Sequence, residues 1–123
     1  MLLVRTRLAQ SSIHGLGVFT EEDIAAGRAL WRFEPGLDLV IPFEKIEALP
    51  AAFRAFLDTY AYPSPDAPGG IVLSCDNAKY LNHSEEPNTD IRGTVTLARR
   101  AIAAGEEITC DYRDCVVGWP GFA

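Results

Sequence analysis

Apolar and basic residues alternate from Leu2 to Arg7, the two-residue period of a strand with one face turned inward. Ser11, Ser12 and the run His14-Gly15-Leu16-Gly17 break that period with residues that permit a turn, and Val18-Phe19-Thr20 resumes a strand. Glu21 to Gly27 reads as a turn or helical bend closed by glycine. Arg28 to Phe33 is a largely apolar strand, Pro35-Gly36 a turn, and Leu37 to Ile41 a further strand stopped by Pro42. Short strands punctuated by turns predict a mainly β fold.

The period then changes. Phe43, Ile46 and Leu49 are spaced by three, and after Pro50 the set Phe53, Phe56, Leu57 and Tyr60 forms the stripe of an amphipathic helix, laid over a sheet to close the core. Residues 62–70, rich in proline and glycine, form a loop. Ile71 to Ser74 is an apolar strand, and Asp76-Asn77 caps a single turn, Ala78 to Leu81. Thr89 to Arg92 and Thr94 to Ala98 alternate about Gly93, Ala101 to Gly105 is a turn, and Glu107 to Tyr112 is the last strand. There is no internal repeat.

Between the capped turn and the final strands lies Tyr80-Leu81-Asn82-His83-Ser84-Glu85-Glu86-Pro87-Asn88. Asn82, His83, Ser84 and Asn88 crowd amides, an imidazole and a hydroxyl into one turn stiffened by Pro87, more hydrogen-bonding capacity than a turn requires. Alone, this is an Asx-type surface turn. With Ile13-His14-Gly15-Leu16-Gly17-Val18-Phe19 before it and Gly105-Glu106-Glu107-Ile108-Thr109-Cys110-Asp111-Tyr112 after it, the chain resembles the SET domain family of protein lysine methyltransferases over about residues 4 to 112.

That resemblance implies a single SET domain over residues 1–123, with a helical insert and flexible loop at 43–70 and a short tail at 113–123. The implied fold is mostly β, the β-clip arrangement of several short curled sheets. A C-terminal knot-like crossing brings the Asn-His-Ser turn beside the Asp-Tyr segment. The implied activity is methyl transfer from S-adenosylmethionine to a lysine side chain. Tyr112 matches the catalytic tyrosine. Gly15, Leu16 and Gly17 match the turn approaching the methionine part of the donor, and Asn82 and His83 the residues that hold it. Phe33, Tyr80 and Cys110 are assigned to the substrate channel, Tyr80 being equally suited to core packing and His83 to a structural role. Glu106, Glu107 and Asp111 read as structural charges, since this reaction protonates no leaving group.

Two departures stand out. Cys110 occupies a position where many members carry Phe or Tyr, so the pocket has room for more than one methylation. After Tyr112 the sequence lacks the cysteine-rich zinc-binding tail that completes the site in many SET enzymes. Trp119 and Phe122 are candidates to stack on the donor's adenine or to cap the channel, and are equally suited to packing against the core; a homodimer is another way to close the site. A non-catalytic SET-like binding or scaffolding module is the alternative, and an enzyme acting on a small amine a third reading.

Composition adds boundaries. With 123 residues and 48% hydrophobic content there is room for one real core. No apolar run approaches the ~20 residues of a membrane span, and Arg5 and Arg7 follow too soon for a signal peptide, so a cytoplasmic location is expected. Cys75, Cys110 and Cys115 give neither a disulfide framework nor, with two histidines, a zinc spacing, so no metal is expected. A formal charge of −6 argues against nucleic acid and suits a basic peptide partner.

Overall fold

In the computed structural model, residues 1–64 and 67–116 are described, the side chains of 115 and 116 excepted. Three small sheets dominate. The first runs in the order β1 (Thr6–Gln10), β2 (Leu16–Thr20), β10 (Glu107–Cys110), β7 (Asn82–His83). A second joins β3 (Ala29–Arg32), β9 (Val95–Ala98) and β8 (Thr89–Arg92), and a third joins β4 (Leu39–Pro42), β6 (Gly70–Leu73) and β5 (Tyr62–Pro63). The helices are α1 (Phe43–Ile46), α2 (Ala51–Tyr60) and α3 (Tyr112–Val116), with a 3-10 turn at Asn77–Tyr80. No helix among the described residues is long and apolar enough to cross a membrane.

Two separate hydrophobic clusters hold these elements. Val18, Ile24, Leu30, Ile102 and Ile108, each 1% exposed or less, gather the first two sheets. Ile41, Ile46, Leu57 and Ile71 gather the third sheet and its helices. Leu57 is fully buried, while Phe53 at the outer end of the same stripe is 38% exposed, so the helix lies over its sheet at a slant.

Several boundaries moved from the sequence expectation. The first strand begins at Thr6 because its antiparallel pairing with β2, from Thr6 opposite Thr20 to Gln10 opposite Leu16, decides where it lies. The last strand ends at Cys110 instead of running to Tyr112. Asp111 leaves the sheet, its Oδ1 accepts the Arg113 N–H at 2.9 Å, and Tyr112 therefore opens α3.

Candidate functional site

The polar turn and the end of β10 are adjacent. β7 lies parallel to β10, with Asn82 opposite Thr109 and His83 opposite Cys110, and the Ser84 N–H donates to the Cys110 carbonyl at 3.0 Å. Asn88 completes the junction as a substitute strand partner. Its amide donates to the Glu107 carbonyl at 2.8 Å and accepts the Thr109 N–H at 2.9 Å.

Asn82 is 6% exposed, and its amide nitrogen faces three acceptors: the carbonyls of His14 and Leu16, both at 3.1 Å, and Glu107 Oε2 at 2.9 Å. An amide carries two N–H groups, so the acceptors share them, and the carbonyls on either side of Gly15 are held together. Glu107 also accepts from Ser11 Oγ at 2.8 and 2.9 Å. The two glycines answer different demands. Gly17 faces that carboxylate, and a Cβ there would lie 2.8 Å from Glu107 Cδ. Gly15 sits at φ +47°, where a side chain is strained although the space before it is open.

Tyr112, first residue of α3, has an N–H without an intrahelical partner, and it donates to His83 Nδ1 at 3.0 Å. While that bond holds, Nδ1 is the unprotonated nitrogen. Asp111 Oδ1 is 3.7 Å from the same atom, beyond hydrogen-bond range, so the Tyr112 bond sets the ring's orientation. The Tyr112 hydroxyl donates to the Leu81 carbonyl at 2.5 Å, and its ring lies 5.3 Å from that of His83. The Arg113 guanidinium, followed by the Arg113 backbone N–H, holds the Asp111 carboxyl down at about 2.

Two cavities meet at this tyrosine. The larger, about 270 Å³, is floored by a row across the second sheet, where Trp31 and Ile91 both pair with Thr96. Tyr60, Tyr62, Cys110 and Tyr112 line it as well, and Asp58 and Asp114 add two carboxylates to its wall. The smaller, about 100 Å³, is lined by His14, Gly15, Leu16, Tyr80 and Asn82. Thr59, Tyr60, Lys79, Leu81 and Tyr112 belong to both walls.

Of the residues expected from the sequence, Gly15, Leu16, Tyr80, Asn82 and Tyr112 converge on the smaller cavity, and Cys110 and Tyr112 on the larger. Tyr80 also packs on the first cluster and meets Tyr60 edge to face at 5.2 Å. His83 contacts Tyr112 and lines neither cavity. Gly17 stands behind, against Glu107. Phe33 is half-buried and off both walls: β3 ends at Arg32, and Trp31, paired with Thr96, lines the larger cavity instead. Trp119 and Phe122 lie outside the described residues.

Trp31, Lys79 and the bracing role of Glu107 escaped the sequence reading. Trp31 lies within the apolar run Arg28 to Phe33 that reads as a strand, with nothing to set it apart from its neighbours, and nothing local pointed at the other two. No group of three or more His, Cys, Asp or Glu side chains placed to hold a metal occurs among the described residues.

The sequence model of the SET domain matches residues 15–113. No curated protein matches the chain. Among solved structures, a Plasmodium falciparum protein provisionally designated a histone methyltransferase is similar at a TM-score of 0.64 and 22% identity, over 90% of this chain and 95% of that one. A Neurospora SET domain protein described as a histone lysine methyltransferase gives 0.61 and 21%, over 90% of this chain and 53% of that one. A Chaetomium thermophilum Polycomb Repressive Complex 2 structure with S-adenosylmethionine bound gives 0.67 and 19%, this chain spanning 91% of its own length and 15% of the other. At these identities the likeness establishes the fold.

Proposed function

The chain belongs to the SET domain family, and from that premise we propose that it transfers methyl groups from S-adenosylmethionine to a lysine side chain of a protein or peptide. The observation that carries this reading is the meeting of two cavities at Tyr112 and Leu81, one bordered by the glycine turn that Asn82 holds, the other by aromatic rings.

In this reading Gly15, Leu16 and Asn82 hold the amino-acid end of the donor. The cavity they border, about 100 Å³, suits one end of such a molecule and not its whole length. When bound, the donor supplies an electrophilic methyl carbon on a sulfonium sulfur. The chain's task is alignment and loss of one proton by the acceptor. A free lysine amine has a pKa of ~10.4; Asp58 and Asp114 on the wall attract the arriving ammonium, and the apolar rings beside Tyr112 disfavour its charged form. Trp31, Tyr60 and Tyr62 offer ring faces that accept the arriving cation and tolerate the neutral amine. Because the Tyr112 hydroxyl spends its proton on the Leu81 carbonyl, its oxygen acts as an acceptor, orienting an amine N–H. His83 positions Tyr112 through its backbone N–H.

Calorimetric titration with S-adenosylmethionine and S-adenosylhomocysteine, followed by labelled methyl transfer to lysine peptides, tests this. Asn82→Ala frees both turn carbonyls and is expected to weaken donor binding at least ~tenfold, about 1.4 kcal/mol. Tyr112→Phe is expected to keep donor binding and lower turnover by ~10²–10³, the usual loss on removing one fixed polar group from a reacting centre. Folded wild-type protein that binds neither compound would overturn the reading in favour of a non-catalytic module.

A further inference from the structure

Lys79 occupies an unusual place for a lysine. It sits in the 3-10 turn two residues before Leu81, it is half-buried, and it lines both the glycine-turn cavity and the aromatic cavity. No carboxylate among the described residues pairs with it, whereas Arg5, Arg28, Arg32, Arg99, Arg100 and Arg113 each have an acidic partner. The other lysine, Lys45, is exposed on α1 and borders neither cavity. The chain thus carries, on the wall where its two cavities join, a side chain of the very type that the proposed reaction modifies.

We infer that Lys79 is itself a methyl acceptor, modified within the same molecule when no external acceptor fills the larger cavity. This rests on the transfer reading above. Chemically, the Lys79 ammonium first loses a proton to water. Its nitrogen lone pair then forms a bond to the sulfonium methyl carbon as the carbon–sulfur bond breaks, and S-adenosylhomocysteine departs with that electron pair. One methyl and one proton are exchanged, and no further reactant is needed. Tethering supplies the encounter, so one half-time should hold at every protein concentration. An acceptor peptide seated against Trp31, Tyr62 and Tyr112 fills the space that Lys79 must enter and slows its modification.

The test is intact-mass and fragment spectrometry of the purified chain incubated with S-adenosylmethionine alone. A gain of one or more methyl groups on Lys79 is expected, absent in Lys79→Arg and retained in Lys45→Arg. The half-time should be unchanged on tenfold dilution of the protein and lengthened at least ~tenfold by saturating acceptor peptide. Modification confined to Lys45, or a rate proportional to protein concentration, overturns the inference. A protein that methylates peptide but leaves Lys79 unmodified overturns the inference and spares the transfer reading. A protein that binds the donor and methylates neither overturns both.

Discussion

Gly17→Ala tests the bracing of the glycine turn most directly. The added methyl would lie 2.8 Å from Glu107 Cδ and 3.1 Å from Ser11 Cβ, so the carboxylate must withdraw. A glutamate end is ordinarily flexible, yet this one accepts from Ser11 Oγ and from the Asn82 amide at 2.8 to 2.9 Å. Hydrogen bonds to a charged group contribute ~1.5–3 kcal/mol each, and rehydration of the displaced carboxylate returns part of that. The substitution should therefore cost about 2–4 kcal/mol. At ~3–6 °C per kcal/mol for a chain of this size, the melting temperature should fall by roughly 6–24 °C. Glu107→Ala alone should cost ~2 kcal/mol. The double variant should cost no more than Glu107→Ala by itself, because the clash disappears with the carboxylate. Urea unfolding of the four proteins measures this cycle. Additive losses, or a Gly17→Ala change within ~0.5 kcal/mol, would refute the claim that this glycine is required by Glu107.

Two further outcomes follow from the same geometry. Cys110→Phe should fill part of the 270 Å³ cavity and shift the product of peptide methylation toward the monomethyl form, read by mass spectrometry; an unchanged product distribution would count against Cys110 as a channel residue. Asp111 has its carboxyl lowered from 3.8 to about 2, so its charged form is favoured by folding. The stability it adds is complete above pH ~4 and disappears as pH falls through ~2. Asp111→Asn keeps a capping oxygen and loses the charge. The wild type's advantage over that variant in melting temperature should shrink between pH 4 and 2, and a constant difference would contradict the assignment.

Much of this arrangement is local and therefore legible in the residues. The β8–β9 hairpin about Gly93 follows from alternation on both sides of a turn residue, and Asp76 caps its 3-10 turn by accepting the Ala78 N–H. The stripe of α2 is equally direct. What escaped depends on partners distant in sequence. Ser11 and Glu107 are 96 positions apart, and only folding brings their oxygens together. Trp31 instead of Phe33 lines the larger cavity because β3 ends at Arg32 and Phe33 lies beyond it, an end that the apolar run Arg28 to Phe33 does not reveal. Tyr112 opens a helix because the capping bond at Asp111 outweighs the strand propensity of the preceding residues.

The division of the apolar interior into two clusters has an evolutionary corollary. Tyr60 and Tyr62, which overlook the larger cavity, are anchored through Ile41, Ile46, Leu57 and Ile71, whereas the turn held by Asn82 leans on Val18 and Ile108. Between the two halves pass edge contacts such as Tyr60 to Tyr80 and Trp31 to Tyr62. Such a seam lets the segment from Leu39 to Leu73 drift, lengthen or be grafted from a relative with its own oily anchor intact. A lineage can then change the wall of the larger cavity and leave the glycine turn and its brace as they are.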